Sequence, residues 1–253
     1  MWEERSILIE GKSYPVVLSD QKEALLAAQA AGKAFVGVLT EEGDRDLSPA
    51  RYLVEDVADA DHRFLEQVVR RSQGLPWVIG ESDRIVVREF LPEDADQMLP
   101  EPEDTDGDRI FQSRELLEAY IRSQYGFFQY GMWAIVRKSD GKVLGKAGIS
   151  SCGQIPMELG YHLAASYRGC GYAREACRII LQYIEEVYQS PVCARVQPDN
   201  VASVRLLEDL GFREAAHPPG DSGTVLGQFQ YPPMQYWIQT RSSPRICNSS
   251  DNP

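Results

Sequence analysis

A pair of glycines set between an apolar stretch and an amphipathic one constrains this chain most. Tyr167-Arg168-Gly169-Cys170-Gly171-Tyr172-Ala173 reads as a strand that stops at a tight turn and restarts as a helix. Glycine tolerates positive φ and lets a ligand come close to the backbone, and the first turn of a helix carries amides with no intrahelical partner. Those amides and the helix dipole together make an anion site. Arg168 and Arg174 add positive charge at its mouth. The expected ligand carries a diphosphate.

Charge narrows the partners. With 253 residues and a net charge of -12, the chain is long enough for one large domain and a small one, and too acidic to hold nucleic acid as its main partner. The same charge repels an anionic cofactor at long range. Attraction at the turn must therefore act within the roughly 8 Å screening length of physiological salt. No apolar run reaches the roughly 18 residues of a membrane span. Glu3 and Glu4 stand where a signal peptide carries basic residues. The five cysteines (Cys152, Cys170, Cys177, Cys193, Cys247) are odd in number and form no CxxC pair. They read as reduced thiols of a cytoplasmic protein without a metal site. The sequon Asn248-Ser249-Ser250 carries no weight without a secretory signal.

Three stretches are expected. Residues 1–80 read as a small α/β domain with strands at Pro15–Ser19, Ala34–Leu39 and Arg51–Val54, and helices at Gln21–Ala31 and Asp61–Arg71. Gly74-Leu75-Pro76 reads as the linker. Residues 81–240 hold strands at Arg84–Phe90, Met132–Arg137, Val143–Ser150, Pro156–Leu163, Val192–Val196 and Met234–Thr240. A short helix is expected at Glu93–Leu99, and longer ones at Arg114–Tyr125 and Asn200–Leu210. The helix after the glycine turn should bury Ala173, Cys177, Ile180, Ile184 and Val187. Residues 241–253, rich in Ser, Pro and Asn, read as a disordered tail.

Two resemblances follow from these residues. The run from Val16 to Leu39, a strand ending at Asp20 and an Ala-rich helix leading through Gly32 to another strand, resembles the tail half of the haloacid-dehalogenase-like fold. That fold's phosphatase chemistry needs further acids, and Asp20 stands alone, with Ala24 four positions on. Asp20 is open to two readings, a helix N-cap or a metal ligand. The region Asp83–Thr240 resembles the GNAT superfamily of N-acetyltransferases. The match rests on Arg168, Gly171 and Ala173 in the acetyl-CoA pattern Q/R-x-x-G-x-G/A and on the preceding strand ELGYHL. Asn200-Val201-Ala202-Ser203 leading to Leu210-Gly211-Phe212 completes it. The last two features are similar to the branch containing ribosomal-protein N-terminal acetyltransferases.

The resemblance implies an α/β (α+β) GNAT fold, with a mixed, mostly antiparallel sheet splayed at the acetyl-CoA site. It implies a CoA diphosphate on the amides of Gly169, Cys170, Gly171, Tyr172, Ala173 and Arg174, with Arg168 beside them. It further implies a pantetheine arm along His162, Leu163 and Ala164 that is reached by Asn200. Acetyl-CoA is then the cosubstrate, no metal is needed, the acceptor is an amine, and the chain acts as a monomer or homodimer.

Acetyl transfer to an amine needs a proton acceptor, because an aliphatic ammonium is mostly protonated near neutral pH. Glu158 is the candidate: strand alternation groups it with Gly160 and His162, opposite Met157, Leu159 and Tyr161. Its other reading is a structural charge bonded to a neighbour. A backbone amide near Leu163 would stabilise charge developing on the carbonyl. Many relatives place a Tyr, donor to the leaving thiolate, where this chain has Leu207; Ser203, one turn earlier, is the replacement candidate, with capping or packing as its other reading. Asn200 reads both as an N-cap and as a cofactor contact. His162 reads as a neighbour of the cofactor, not a base, and His62 and His217 as surface residues.

Acids Glu101, Glu103, Asp104, Asp106 and Asp108 lie where relatives admit the acceptor, and would favour a cationic amine or simply solvate a loop. Tyr125, Phe127, Phe128, Tyr130 and Trp133 read as an acceptor cleft or as core. An acyl-CoA-sensing module without turnover is the alternative to an enzyme.

Overall fold

The computed structural model describes residues 1–102, 105–151, 157–197, 199–215 and 235–239. Glu103, Asp104, Cys152, His217, Cys247 and the tail 241–253 lie outside them. Among the described residues the strands form two sheets. The first runs in spatial order β1 (Trp2–Ile9), β2 (Lys12–Ser19), β3 (Ala34–Val38) and β4 (Leu53–Val54). Helices α1 (Lys22–Ala30) and α2 (His62–Ser72) belong to this unit. β2, β3 and β4 are parallel, with α1 crossing from β2 to β3.

β1 has no counterpart among the sequence-based expectations, and the reason is its burial. Only Ile7 and Ile9 point inward, while Leu8 is exposed and the first half is charged. It is an edge strand whose register is set by the turn at Glu10 and Gly11, both at positive φ (51 and 81°), joining it antiparallel to β2. α2 starts where expected: Asp61 accepts from Phe64 N at 2.7 Å and caps it. Its Leu65, Val68 and Val69 pack with Ile7, Val16, Leu18 and Val36 into one core. Each such side chain contributes roughly 1.5–3 kcal/mol when fully buried.

Asp20 does not cap α1. Gln21 takes that position without a side-chain cap, and the buried Asp20 carboxylate accepts from Thr40 Oγ1 at 2.8 Å and pairs with the Met1 ammonium. These bonds depress its pKa against the opposing effect of burial.

The second sheet contains β5 (Val78–Glu81), β6 (Ile85–Arg88), β7 (Met132–Arg137), β8 (Val143–Ser151), β9 (Met157–Leu163), β10 (Val192–Val196), β11 (Phe212–Ala215) and β12 (Gln235–Gln239). Its spatial order is β11-β12-β10-β9-β8-β7-β6-β5. Every adjacent pair is antiparallel except β9–β10, so the sheet is mixed and mostly antiparallel, as expected. β5 and β11 are additional to the expected strands, and the expected boundary at residue 80 falls inside β5. The helices are α3 (Asp106–Arg109), α4 (Arg114–Tyr120), α5 (Tyr172–Val187) and α6 (Val201–Asp209). A 3₁₀ turn at Pro92–Gln97 replaces the expected short helix, and α4 runs on into a wide π-type turn at Ile121–Phe128.

α5 buries Ala176, Cys177, Ile180, Tyr183 and Ile184 against the sheet. Cys177, Ile180 and Ile184 of the expected stripe are buried, while at its ends Ala173 is half-buried and Val187 is exposed. Tyr125 and Trp133 are core, whereas Phe127 and Phe128 are exposed.

One ion pair ties the units together. Arg71 at the end of α2 sends Nε and Nη2 to Glu89 Oε1 at 3.0 and 2.7 Å, and Glu89 Oε2 accepts from Trp77 N at 3.2 Å. Both side chains are buried, at 10% and 4% exposure. Removing one partner of such a pair strands the other charge, at a cost of about 3–5 kcal/mol. Glu89→Ala is therefore expected to lose roughly 3 kcal/mol in urea unfolding, and Arg71→Leu combined with Glu89→Leu to lose less than either single change. A double variant no more stable than the singles would locate the cost elsewhere.

Candidate active site

β9 and β10 pair in parallel at only two positions, Val192 with Met157 and Cys193 with Glu158. Beyond these the strands part, and among the described residues five of β9, Leu159 to Leu163, have no ladder partner on that edge. Strand geometry decides which backbone groups point there. Met157 N donates toward the β10 side (to Pro191 O, 3.2 Å) and Ala164 N donates to Leu144 O on β8 at 3.0 Å. Peptide groups alternate sides along a strand, so Leu159, Tyr161 and Leu163 present theirs to the gap. Of the trio His162, Leu163 and Ala164, only Leu163 offers its amide to a ligand in the parting. The other two are turned toward β8.

The chain then leaves β9 through a 3₁₀ turn at Ala165–Tyr167 and reaches Gly169 and Gly171 at φ +74 and +85°. Gly171 is the N-cap of α5 and has no side chain to close the helix start. Among the described residues, no acceptor meets the amides of Gly169, Cys170, Gly171, Tyr172, Ala173 or Arg174; the first α5-turn bond closes only from Glu175 N to Gly171 O at 3.2 Å. The exposed Cys170 Sγ reaches only Arg168 O at 3.6 Å, which leaves the peptide nitrogens as the working groups. This cradle fits a diphosphate.

The surrounding arginines behave differently from their sequence reading. Arg168 turns away from the cradle, giving Nε to Leu163 O at 2.8 Å and Nη2 to Glu101 Oε2 at 2.6 Å. Arg174 pairs with Asp209 of α6. Arg84, from the start of β6, stacks on Tyr172 at 4.6 Å, gives Nε to Glu175 at 2.8 Å and Nη2 to Cys170 O at 3.1 Å. Arg137 pairs with Asp140 at 2.6 Å and lies over Tyr167 at 5.3 Å. Each guanidinium is matched by a carboxylate, so the local pull on an anion comes mainly from the amides. Arg84 and Arg137 were not singled out in the sequence; nothing in their local pattern marks a loop more than thirty residues away.

The acidic loop is also spent differently. Glu101 accepts from Ala165 N and Arg168 Nη2, both at 2.6 Å, and lies 3.7 Å from His162 Nε2. It braces the turn after β9. Asp108 pairs with Lys146, a buried lysine of β8 whose Nζ sits 4.0 Å over the Phe111 ring. Burial pushes the Asp108 carboxyl up, but its bonds to Lys146 and Thr105 outweigh this and hold it at about 2.

Glu158, half-buried, accepts from Arg195 Nε of β10 at 2.8 Å. Leu159 and Leu163 are buried on the opposite face, as alternation requires. Asn200 caps α6, its Oδ1 accepting from Ser203 N at 3.1 Å. Its Nδ2 and the Ser203 hydroxyl have no partner among the described residues. Tyr161 sends its hydroxyl across to Ser203 O at 3.4 Å, and burial pushes that phenol up to about 12. Tyr161 lies on the face opposite Glu158, so Glu158 and Ser203 flank β9 from opposite sides. Leu207 is fully buried.

Residues 84–213 match the family described as Acetyltransferase (GNAT) domain. YkkB, an uncharacterized protein of Bacillus subtilis, is 35% identical over 105 residues, spanning 40% of this chain and 60% of its own length. The uncharacterized N-acetyltransferase p20 of Bacillus licheniformis is 28% identical over 145 residues, 53% of this chain and 81% of that protein. An acetyltransferase structure from Agrobacterium tumefaciens covers 64% of this chain and 94% of its own, at 20% identity and TM-score 0.48. The ribosomal-protein-S5-alanine acetyltransferase of Vibrio fischeri covers 63% and 93%, at 19% identity and TM-score 0.46.

Gly171→Glu would put a like charge and a side chain into the cradle, at a φ that disfavours any side chain. CoA affinity, read by calorimetric titration, is expected to fall at least about a hundredfold. Unchanged affinity in a folded variant would refute the cradle.

Proposed function

Because the chain belongs to the GNAT acetyltransferase family, we propose that it moves the acetyl group of acetyl-CoA to a primary amine, directly within a ternary complex. The single observation that carries this reading is the row of peptide nitrogens from Gly169 to Arg174 with no acceptor among the described residues, set beside the parting of β9 and β10. When bound, acetyl-CoA supplies an activated thioester. The diphosphate would rest on those amides. Asn200 Nδ2 and the Leu163 amide would orient the arm and its carbonyl.

The chain's own residues divide the proton work. Glu158 takes a proton from the acceptor ammonium, directly or through water. Arg195 orients its carboxylate. Ser203 Oγ donates toward the thiolate in place of the Tyr that many relatives carry at the Leu207 position. Thiolate is already a fair leaving group, so the Ser203 contribution is the smaller one. Two acids expected to draw in a cationic amine, Glu101 and Asp108, are engaged by Arg168 and Lys146. The acceptor class this reading admits is a primary amine, on a small molecule or a peptide N-terminus. Asp20, held by Thr40 and the Met1 ammonium, takes no part in the proposed chemistry.

Thiol release measured over a panel of amino acids, polyamines and peptide N-termini tests the activity. Turnover with at least one amine is expected; CoA binding with no turnover on any of them would leave a sensing module. Glu158→Gln should lower kcat by about 10²-fold or more with CoA affinity kept. An unchanged rate and pH profile would remove Glu158 from the chemistry.

A further inference from the structure

A cavity of about 330 Å³ lies between the two units, where α2 and β3 face the end of β6 and the wide turn at Ile121–Phe128. It shares no lining residue with the glycine turn or β9. Its volume and its place at a junction are those of small-ligand sites. The walls are mainly apolar, with Phe35, Phe90 and Ile121 among them. Of the charged groups lining it, Arg71 and Glu89 satisfy each other, and Arg122 pairs with Glu118. Arg51 is different. It is exposed at the rim and has no partner among the described residues. A Cβ on Gly126 would come within 2.9 Å of Arg51 Nη1, so the guanidinium lies against the wide turn, where glycine leaves it room. Such π-type turns are rare, and those that occur are frequently at functional sites.

We propose that the two units together form a second ligand site, for a small organic anion with an apolar body and one carboxylate or phosphate head. The apolar body fills the cavity, and the head meets the planar fork of Arg51, which suits both oxyanions. Among the described residues a cationic ligand has no free carboxylate to meet there: Glu89, the one acid among those lining the cavity, is held by Arg71 and Trp77 N.

The test uses the full chain, with 8-anilinonaphthalene-1-sulfonate as fluorescent probe and phenylacetate, phenyl phosphate and phenethylamine as competitors. Either anion should displace the probe saturably, and the arm that does so identifies the head group. Phenethylamine should not. Arg51→Glu, at an exposed position, should weaken anion binding about tenfold or more. Gly126→Leu, which displaces the guanidinium, should do the same, and CoA should not compete. Absence of saturable binding, equal displacement by phenethylamine, binding indifferent to both substitutions, or competition by CoA would each overturn the proposal.

Discussion

The structure turns on a failure of pairing. β9 and β10 hold together for two residues and then separate, and everything assigned to the site is arranged around that opening. A sheet that stayed paired would consume the edge amides of Leu159, Tyr161 and Leu163 in a ladder. A sheet that parted without support would leave those groups to water. Here Tyr161 reaches α6, Arg168 holds the Leu163 carbonyl, and Glu101 binds both Arg168 and Ala165 N. The opening is therefore held by Tyr161 of β9 itself and by side chains from two other segments, Arg168 and Glu101.

The charge distribution around the turn follows from the same economy. An acidic chain cannot attract an anion at a distance, and the arginines near the turn are each neutralised by a carboxylate. What stays available is the set of first-turn amides of α5, whose partial charges are fixed by the backbone and need no side chain. The arginines give the turn rigidity. Arg84 does so from the start of β6, by stacking on Tyr172 and bonding Cys170 O.

The N-terminal unit is joined to the rest by a buried charge pair, while the two hydrophobic cores stay separate. Arg71 and Glu89 come from different sheets' surroundings and satisfy each other almost completely out of water. That pairing fixes how α2 sits against the end of β6, and with it the shape of the cavity between them.

What the sequence determined by itself is local. The glycine turn, the alternation along β9, the Asn200 cap and the cap of α2 at Asp61 are decided within a few residues of their own positions, by φ preference, by a period of two, and by a side chain reaching a nearby amide. Edge strands β1, β5 and β11 were harder, because half of an edge strand faces water and its periodic signal is short. The tertiary structure alone decided the rest: that Arg168 faces Glu101 instead of the cradle, that Arg195 meets Glu158, that Lys146 takes Asp108, and that Asp20 is no cap. These are pairings between segments far apart in the chain. A charge carries no record of which distant opposite charge will reach it; only packing brings the two together.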